Sequence, residues 1–209
     1  MKKNVNLNDI YENVKNKCKG SVVVFFEAKN GGVYTGVFRP VFEGESAKPY
    51  ALYVECFEGF DKTRKSELVF KSFRDRMFLD KIYTDFYSRN LGLGKTLLFL
   101  SEDILKGFGI REIVGEFGPH DYYVKMSLDE LRKNALAFYK SAGYEIFDFD
   151  KFYECPELYP QSLQDVFFCP DLLYKKLDEK ININIIEAGE YFVEESLAEK
   201  LGLVKNLGE

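Results

Sequence analysis

Residues 83–96 read YTDFYSRNLGLGKT, and this stretch joins an expected strand to an expected helix. Upstream, Met77 to Thr84 is rich in the apolar and aromatic residues typical of strands. Downstream, apolar residues recur at helical spacing from Leu97 to Phe108, so we expect a helix to begin near Gly92. A helix N-terminus leaves about four backbone N–H groups unpaired and carries a partial positive charge. Because two glycines let a ligand approach the backbone closely, the stretch predicts a phosphate-binding loop.

Three phosphate-binding motifs can be compared with this loop. A Walker A loop needs a glycine where this chain has Arg89, and a dinucleotide fingerprint needs one where it has Leu97. The pattern Arg/Gln-x-x-Gly-x-Gly/Ala is satisfied in full by RNLGLG at residues 89–94. This string resembles the acetyl-CoA-binding motif of the GNAT (Gcn5-related N-acetyltransferase) family, in which the loop amides hold the pyrophosphate of acetyl-CoA.

A second resemblance to the same family lies in residues 135–144, ALAFYKSAGY, which match A-x-x-F-Y-x-x-x-G-F/Y. The helix that carries this string is expected to begin at Ser127, which forms a capping box with Glu130, and to end at Gly143. Many family members carry an asparagine three residues before the first alanine, where this chain has Arg132. The two motifs occur in the expected order and together cover about residues 77–147.

The resemblance implies an α+β (α/β layered) fold. Its GNAT-like central sheet would be mixed but mostly antiparallel, flanked by helices, and splayed between the strands at 77–84 and 110–117. The pattern predicts further strands at 21–26, 33–38, 51–57, 68–73 and 144–147, a last hairpin at 166–168 and 172–177, and a first helix at 7–18. We expect a GNAT-like acetyltransferase domain over 1–177 and a C-terminal strand and helix extension over 178–209, with Phe192 in its helical part.

Composition excludes several classes of protein. Hydrophobic residues make up 46% of the 209 residues, which is enough for a packed core, and no apolar segment is long enough to span a membrane. The net charge of −5 disfavours a nucleic-acid partner and suits a cationic amine. Four separated cysteines and a single histidine predict reduced thiols in a cytoplasmic protein and no metal site. The tail is expected to cap the fold or to form a homodimer.

The resemblance also implies roles for individual residues, with acetyl-CoA as co-substrate. Tyr139 would be the general acid that protonates the departing thiolate. Glu116 would be the general base acting through water, with His120 and Asp85 as alternative bases. The residues expected to bind acetyl-CoA are Ile82, Tyr83, Thr84, Arg89, Asn90, Leu91, Gly92, Leu93, Gly94 and Lys95.

The sequence thus predicts an N-acetyltransferase that moves the acetyl group of acetyl-CoA to a primary amine by direct attack. The acceptor is a small amine or a peptide or protein amine, and the residues do not separate these. A non-catalytic module that binds acyl-CoA remains as an alternative. A P-loop nucleotide hydrolase is disfavoured by Arg89 and by the lack of a following hydrophobic strand that ends in aspartate.

Overall fold

The computed structural model describes residues 21–58, 63–116, 127–148, 171–177 and 191–193. Within these ranges the chain forms nine strands, two α-helices and one 3-10 turn. The strands are β1 (Val22–Glu27), β2 (Val33–Val41), β3 (Ala51–Glu58), β4 (Arg64–Phe73), β5 (Arg76–Thr84), β6 (Glu112–Glu116), β7 (Glu145–Asp148), β8 (Asp171–Lys176) and β9 (Tyr191–Val193). The helices are α1 (Leu93–Gly107) and α2 (Leu128–Ser141), and the 3-10 turn spans Phe86–Ser88.

All nine strands belong to one sheet in the order β7-β8-β6-β5-β4-β3-β2-β1-β9. Every neighbouring pair is antiparallel except β5 and β6, which run parallel because α1 carries the chain back across the sheet between them. This mixed, mostly antiparallel sheet with helices packed on it confirms the predicted fold class.

The two faces of the sheet differ in what covers them. On the inner face, alternate strand residues such as Leu52, Leu68 and Phe70 pack with Leu97 and Leu98 of α1 in one large core. The last turn of α2 joins this core through Tyr139. On the outer face, a smaller cluster contains Val114, Leu172 and Tyr174.

Among the described residues, the pairing between the two central strands stops well before the end of β5, as the predicted splay requires. Pairing between β5 and β6 runs from Met77 and Ile113 only as far as Leu79 and Gly115. At that point β5 contains a bulge, because Val69 of β4 faces Lys81 whereas Phe70 faces Leu79, which leaves Asp80 as the extra residue. The bulge lies where the pairing with β6 ends, and we call the region beyond Leu79 and Gly115 the splay.

Two predictions need correction. The strand expected at 68–73 begins at Arg64, because neighbours on both sides pair with the polar residues 64–67. Phe192 lies in β9, which pairs with the otherwise unpaired edge of β1, and therefore not in a helix. The expected helix at 7–18 and the expected strand at 166–168 lie outside the described residues. No helix among the described ranges has the length and apolarity to cross a membrane.

Candidate active site

The segment from Arg89 to Lys95, which we call the glycine loop, turns the chain from β5 into α1. Asn90 has a φ of 64° and Gly92, the N-cap of α1, has a φ of 87°, so both lie in the left-handed region that permits the tight turn. Gly92 has no side chain to cap the helix, and the first turn of α1 contains no acidic residue. The positive end of the helix dipole is therefore not neutralised by the loop itself.

The backbone donors of the glycine loop are available. From Asn90 to Lys95, no backbone N–H has an acceptor among the residues that the structure describes. Asn90 is exposed, and Gly92 and Gly94 are half-buried, so the loop is not sealed beneath other side chains. Successive unpaired N–H groups at a helix N-terminus are the arrangement that binds phosphate oxygens.

The basic side chains of the loop are engaged elsewhere. The Nε of Arg89 donates to the carbonyl of Thr84 at 3.3 Å, and its guanidinium lies 5.7 Å from the centre of the Phe86 ring. The Nζ of Lys95 donates to the carbonyl of Ser141, the last residue of α2, at 2.6 Å. The Arg89 side chain is therefore hydrogen-bonded to the end of β5. The Lys95 side chain forms a hydrogen bond between α1 and α2 and does not line the loop.

The end of β5 runs beside the glycine loop. Among the described strands, Ile82, Tyr83 and Thr84 pair with β4 alone, so their opposite edge faces the splay. A Cβ added to Gly94 would lie 3.2 Å from Thr84 Oγ1, 3.7 Å from Ile82 Cδ1 and 3.8 Å from Phe138 Cζ. Glycine thus relieves a tight contact with Thr84 of β5, whereas the distances to Ile82 and Phe138 are those of ordinary van der Waals contact.

Lys29, in the turn between β1 and β2, is a residue of the site that the sequence did not reveal. Its backbone N–H donates to the carbonyl of Leu91 at 3.3 Å, and its Cε lies 3.6 Å from where a Cβ of Gly92 would be. The described residues provide its ammonium group with no hydrogen bond or ion pair. The side chain is exposed and flanks the glycine loop, where it adds positive charge.

Tyr139 lies in the last turn of α2, on the inner face of the sheet. Its ring packs edge-on against Phe138 at 5.2 Å and against Tyr144 at 5.8 Å between centroids. Its hydroxyl forms no hydrogen bond within the described part of the chain. Burial raises the pKa of Tyr139 to about 12, so the phenol keeps its proton at neutral pH and is able to donate it.

Glu116 is the last residue of β6 and follows Gly115, at which pairing with β5 ends. Strand alternation places it on the same face as Val114, which belongs to the outer cluster, and its partner across the ladder is Leu172 of that cluster. Glu116 and Tyr139 therefore lie on opposite faces of the sheet.

Of the two alternative bases, the structure describes only Asp85. Asp85 caps the 3-10 turn, because its carboxylate accepts hydrogen bonds from the Tyr87 N–H at 3.2 Å and from the Ser88 hydroxyl at 3.5 Å. That contact gives its carboxylate a structural role. His120 lies outside the described residues. Within the described ranges there is no group of three or more histidine, cysteine or acidic side chains that could hold a metal ion.

Comparison with known proteins gave matches among solved structures only. No family model and no curated protein matches the chain. The PaiA N-acetyltransferase of Thermoplasma acidophilum, solved in complex with coenzyme A, is 20% identical with a TM-score of 0.42, over 61% of this chain and 62% of that one. A GNAT-family acetyltransferase of Staphylococcus aureus is 17% identical with a TM-score of 0.44, over 64% and 70%. Tetrahymena Gcn5 is 9% identical with a TM-score of 0.44, over 63% and 71%.

The match spans less than two thirds of the Thermoplasma chain, and all three TM-scores lie below 0.5, so these matches do not assign the fold. The assignment of the fold therefore rests on the chain's own topology. That topology consists of a parallel β5–β6 pair that splays after a bulge, with α1 as its crossover. The two sequence motifs flank the splay, one in the glycine loop and one in α2. In sheet order and in the placement of the two motifs, the chain has the GNAT-like fold class that the sequence predicts.

Proposed function

We propose that this protein is an acetyltransferase that binds acetyl-CoA along the glycine loop and β5 and transfers its acetyl group to a primary amine. The observation that carries the proposal is the run of backbone N–H groups from Asn90 to Lys95, none of which has an acceptor among the described residues. These donors suit a diphosphate, and the edge of Ile82–Thr84 with which no described strand pairs suits the amide-bearing arm that follows it. The residues present therefore fit the co-substrate.

The proposed reaction uses one residue on each face of the sheet. Acetyl-CoA supplies an acetyl group activated as a thioester. The nitrogen of a neutral amine forms the new bond to the carbonyl carbon while the bond from that carbon to sulfur breaks. We assign to Glu116, on the outer face, the role of taking the proton of the amine through water, and to Tyr139, on the inner face, that of protonating the thiolate that departs. The acceptor thus approaches from the outer face.

The test is release of free thiol from acetyl-CoA in the presence of a panel of amines. The panel should include polyamines, aminoglycosides, amino acids, and lysine-containing or N-terminal peptides, each compared with acetyl-CoA alone. Amine-dependent thiol release, with one acetylated product found by mass spectrometry, supports the proposal. Binding of acetyl-CoA without thiol release over the whole panel would instead favour a non-catalytic module.

Replacing Lys29 with methionine is expected to raise the Kd for acetyl-CoA by about three- to fivefold at low salt, since it removes an exposed charge beside the diphosphate site. The difference should shrink as salt rises toward about 1 M, because salt screens exposed charges. Calorimetric titration at two salt concentrations measures both effects.

Lys48→Met is the matched control, because Lys48 is an exposed lysine in the loop between β2 and β3, away from the glycine loop. An unchanged Kd in Lys29→Met, or an equal change in Lys48→Met, would show that Lys29 has no specific part in binding.

A further inference from the structure

The last turn of α2, which carries Tyr139, is held by two lysines from other elements. The Nζ of Lys95, in α1, donates to the carbonyl of Ser141 at 2.6 Å. The Nζ of Lys175, in β8, donates to the carbonyl of Ala142 at 2.7 Å. Carbonyl groups at a helix C-terminus lack partners within the helix, and cations there also complement the helix dipole. The end of α2 is therefore fixed by contacts from α1 and β8.

Lys175 also forms a buried ion pair. Its Nζ lies 2.6 Å from Oε2 of Glu102, a residue of α1 whose side chain is 0% exposed. The same ammonium lies 5.1 Å from the centre of the Phe99 ring and 5.2 Å from that of Tyr144. A buried ion pair is often no more stabilising than a well-packed apolar pair, so its effect on geometry merits a separate test.

Tyr144 lies between the ion pair of Lys175 and Glu102 and the side chain of Tyr139, and it contacts both. The Tyr144 N–H donates to the carbonyl of Tyr139 at 3.0 Å, and the two rings pack at 66°. Because the Tyr139 hydroxyl has no hydrogen bond within the described chain, packing is what positions its ring among the described residues. Tyr144 forms one wall of that packing, and Lys175 and Glu102 lie against Tyr144.

We propose that Lys175 and Glu102 are positioning residues for Tyr139. They hold the end of α2 at the distance from α1 that places the phenol at the splay. The kinetic part of this inference rests on the proposed acetyl transfer, whereas the structural part does not.

The kinetic test uses the double variant Lys175→Met/Glu102→Leu, which removes both charges and so leaves no unpaired buried ion. Its melting temperature and its Kd for acetyl-CoA should stay near those of the parent protein. Its kcat should fall about 10- to 100-fold, because small displacements of a catalytic group are costly. In a Tyr139→Phe background the same double change should lower kcat no further, since both changes act through one hydroxyl.

The matched control is Lys176→Met, which changes the exposed lysine next along β8 and should leave kcat unchanged. If the double variant does not fold, Lys175→Arg, which keeps the charge and a donor, is measured in its place. A kcat for Lys175→Arg that stays within about threefold of the parent, while Lys175→Met falls further, then supports positioning. If the double change lowers kcat further in the Tyr139→Phe background, the inference is overturned.

A second measurement needs no acetyl transfer. Ring signals of ¹³C-labelled tyrosines are recorded without acetyl-CoA, and the signal of Tyr139 is identified by its loss in Tyr139→Phe. That signal should move in Lys175→Met/Glu102→Leu and stay in place in Lys176→Met. A signal that moves in a protein without transferase activity would uphold the positioning and reject the proposed function. A signal that stays in place would reject the positioning, whatever the activity.

Discussion

Replacing Tyr139 with phenylalanine is expected to leave the Kd for acetyl-CoA unchanged and to lower kcat by about 10²- to 10⁴-fold, the range that general acid catalysis supplies. The ring would keep its packing between Phe138 and Tyr144. Because the hydroxyl has no hydrogen bond within the described chain, its removal leaves no partner unsatisfied and should not lower stability. The loss would therefore be a loss of proton transfer.

Steady-state thiol release measures kcat for this variant, and calorimetric titration measures the Kd. Tyr50→Phe is the control, because Tyr50 is an exposed tyrosine just before β3. The pKa of Tyr139, raised to about 12 by burial, adds a constraint on the pH profile. Tyr139 should remain protonated through pH 10, so any fall in rate between pH 7 and 9 must come from another group. Full turnover by Tyr139→Phe would rule out its role as the acid.

Replacing Lys175 alone with methionine is expected to lower the free energy of unfolding by about 3–5 kcal/mol at pH 8, because it leaves Glu102 buried without its cation. Burial already raises the pKa of Glu102, and Lys175 opposes that rise. A carboxyl whose pKa is raised in the folded state holds its proton more tightly than in the unfolded chain. Stability therefore falls as the pH increases from the unfolded pKa through the folded one.

The variant should accordingly be closer to the parent protein at pH 5 than at pH 8, since a protonated Glu102 needs no cation. Urea unfolding at several pH values gives the free energy of unfolding of the variant and of the parent protein as a function of pH, provided the transitions are two-state. Adding Glu102→Leu to Lys175→Met should restore most of the lost stability and flatten the pH dependence. A destabilisation that is the same at pH 5 and pH 8 would contradict the assignment of the effect to Glu102.

Short sequence patterns predicted those parts of the site whose residues are neighbours in the chain. The glycine loop lies where the string at residues 89–94 predicts it, and α1 begins at Leu93, next to the expected start. The capping box is present, with the Glu130 N–H donating to the Ser127 hydroxyl at 3.2 Å. In each case the residues that set the conformation are neighbours in the chain, so a short stretch of sequence is enough to predict it.

Features that depend on distant residues were not predictable in this way. Lys29 reaches the glycine loop only because the turn between β1 and β2 lies beside it in space. The start of β4 is polar in sequence, yet it forms a strand because β3 and β5 pair with it on either side. The pair of Lys175 and Glu102 joins residues 73 positions apart. Hydrophobic periodicity carries no information about such contacts.

The role of Lys95 shows the limit of a motif. Its position in the loop predicts a charge beside the bound phosphates, whereas its ammonium donates to the carbonyl of Ser141 in α2. A motif fixes the backbone path, but the direction of a long flexible side chain depends on which acceptor the surrounding fold provides.

Binding of a diphosphate by the backbone donors of the glycine loop can be measured in one calorimetric comparison. Coenzyme A, 4′-phosphopantetheine and pantetheine are titrated into the protein under identical conditions; pantetheine has the same arm without any phosphate or the adenosine, and 4′-phosphopantetheine, which lacks the adenosine, separates the two contributions. We predict that coenzyme A binds at least about 100-fold more tightly than pantetheine, since of these two only coenzyme A offers charged acceptors to the N–H groups of residues 90–95. Equal affinities for coenzyme A and pantetheine, or no binding of coenzyme A, would contradict the account.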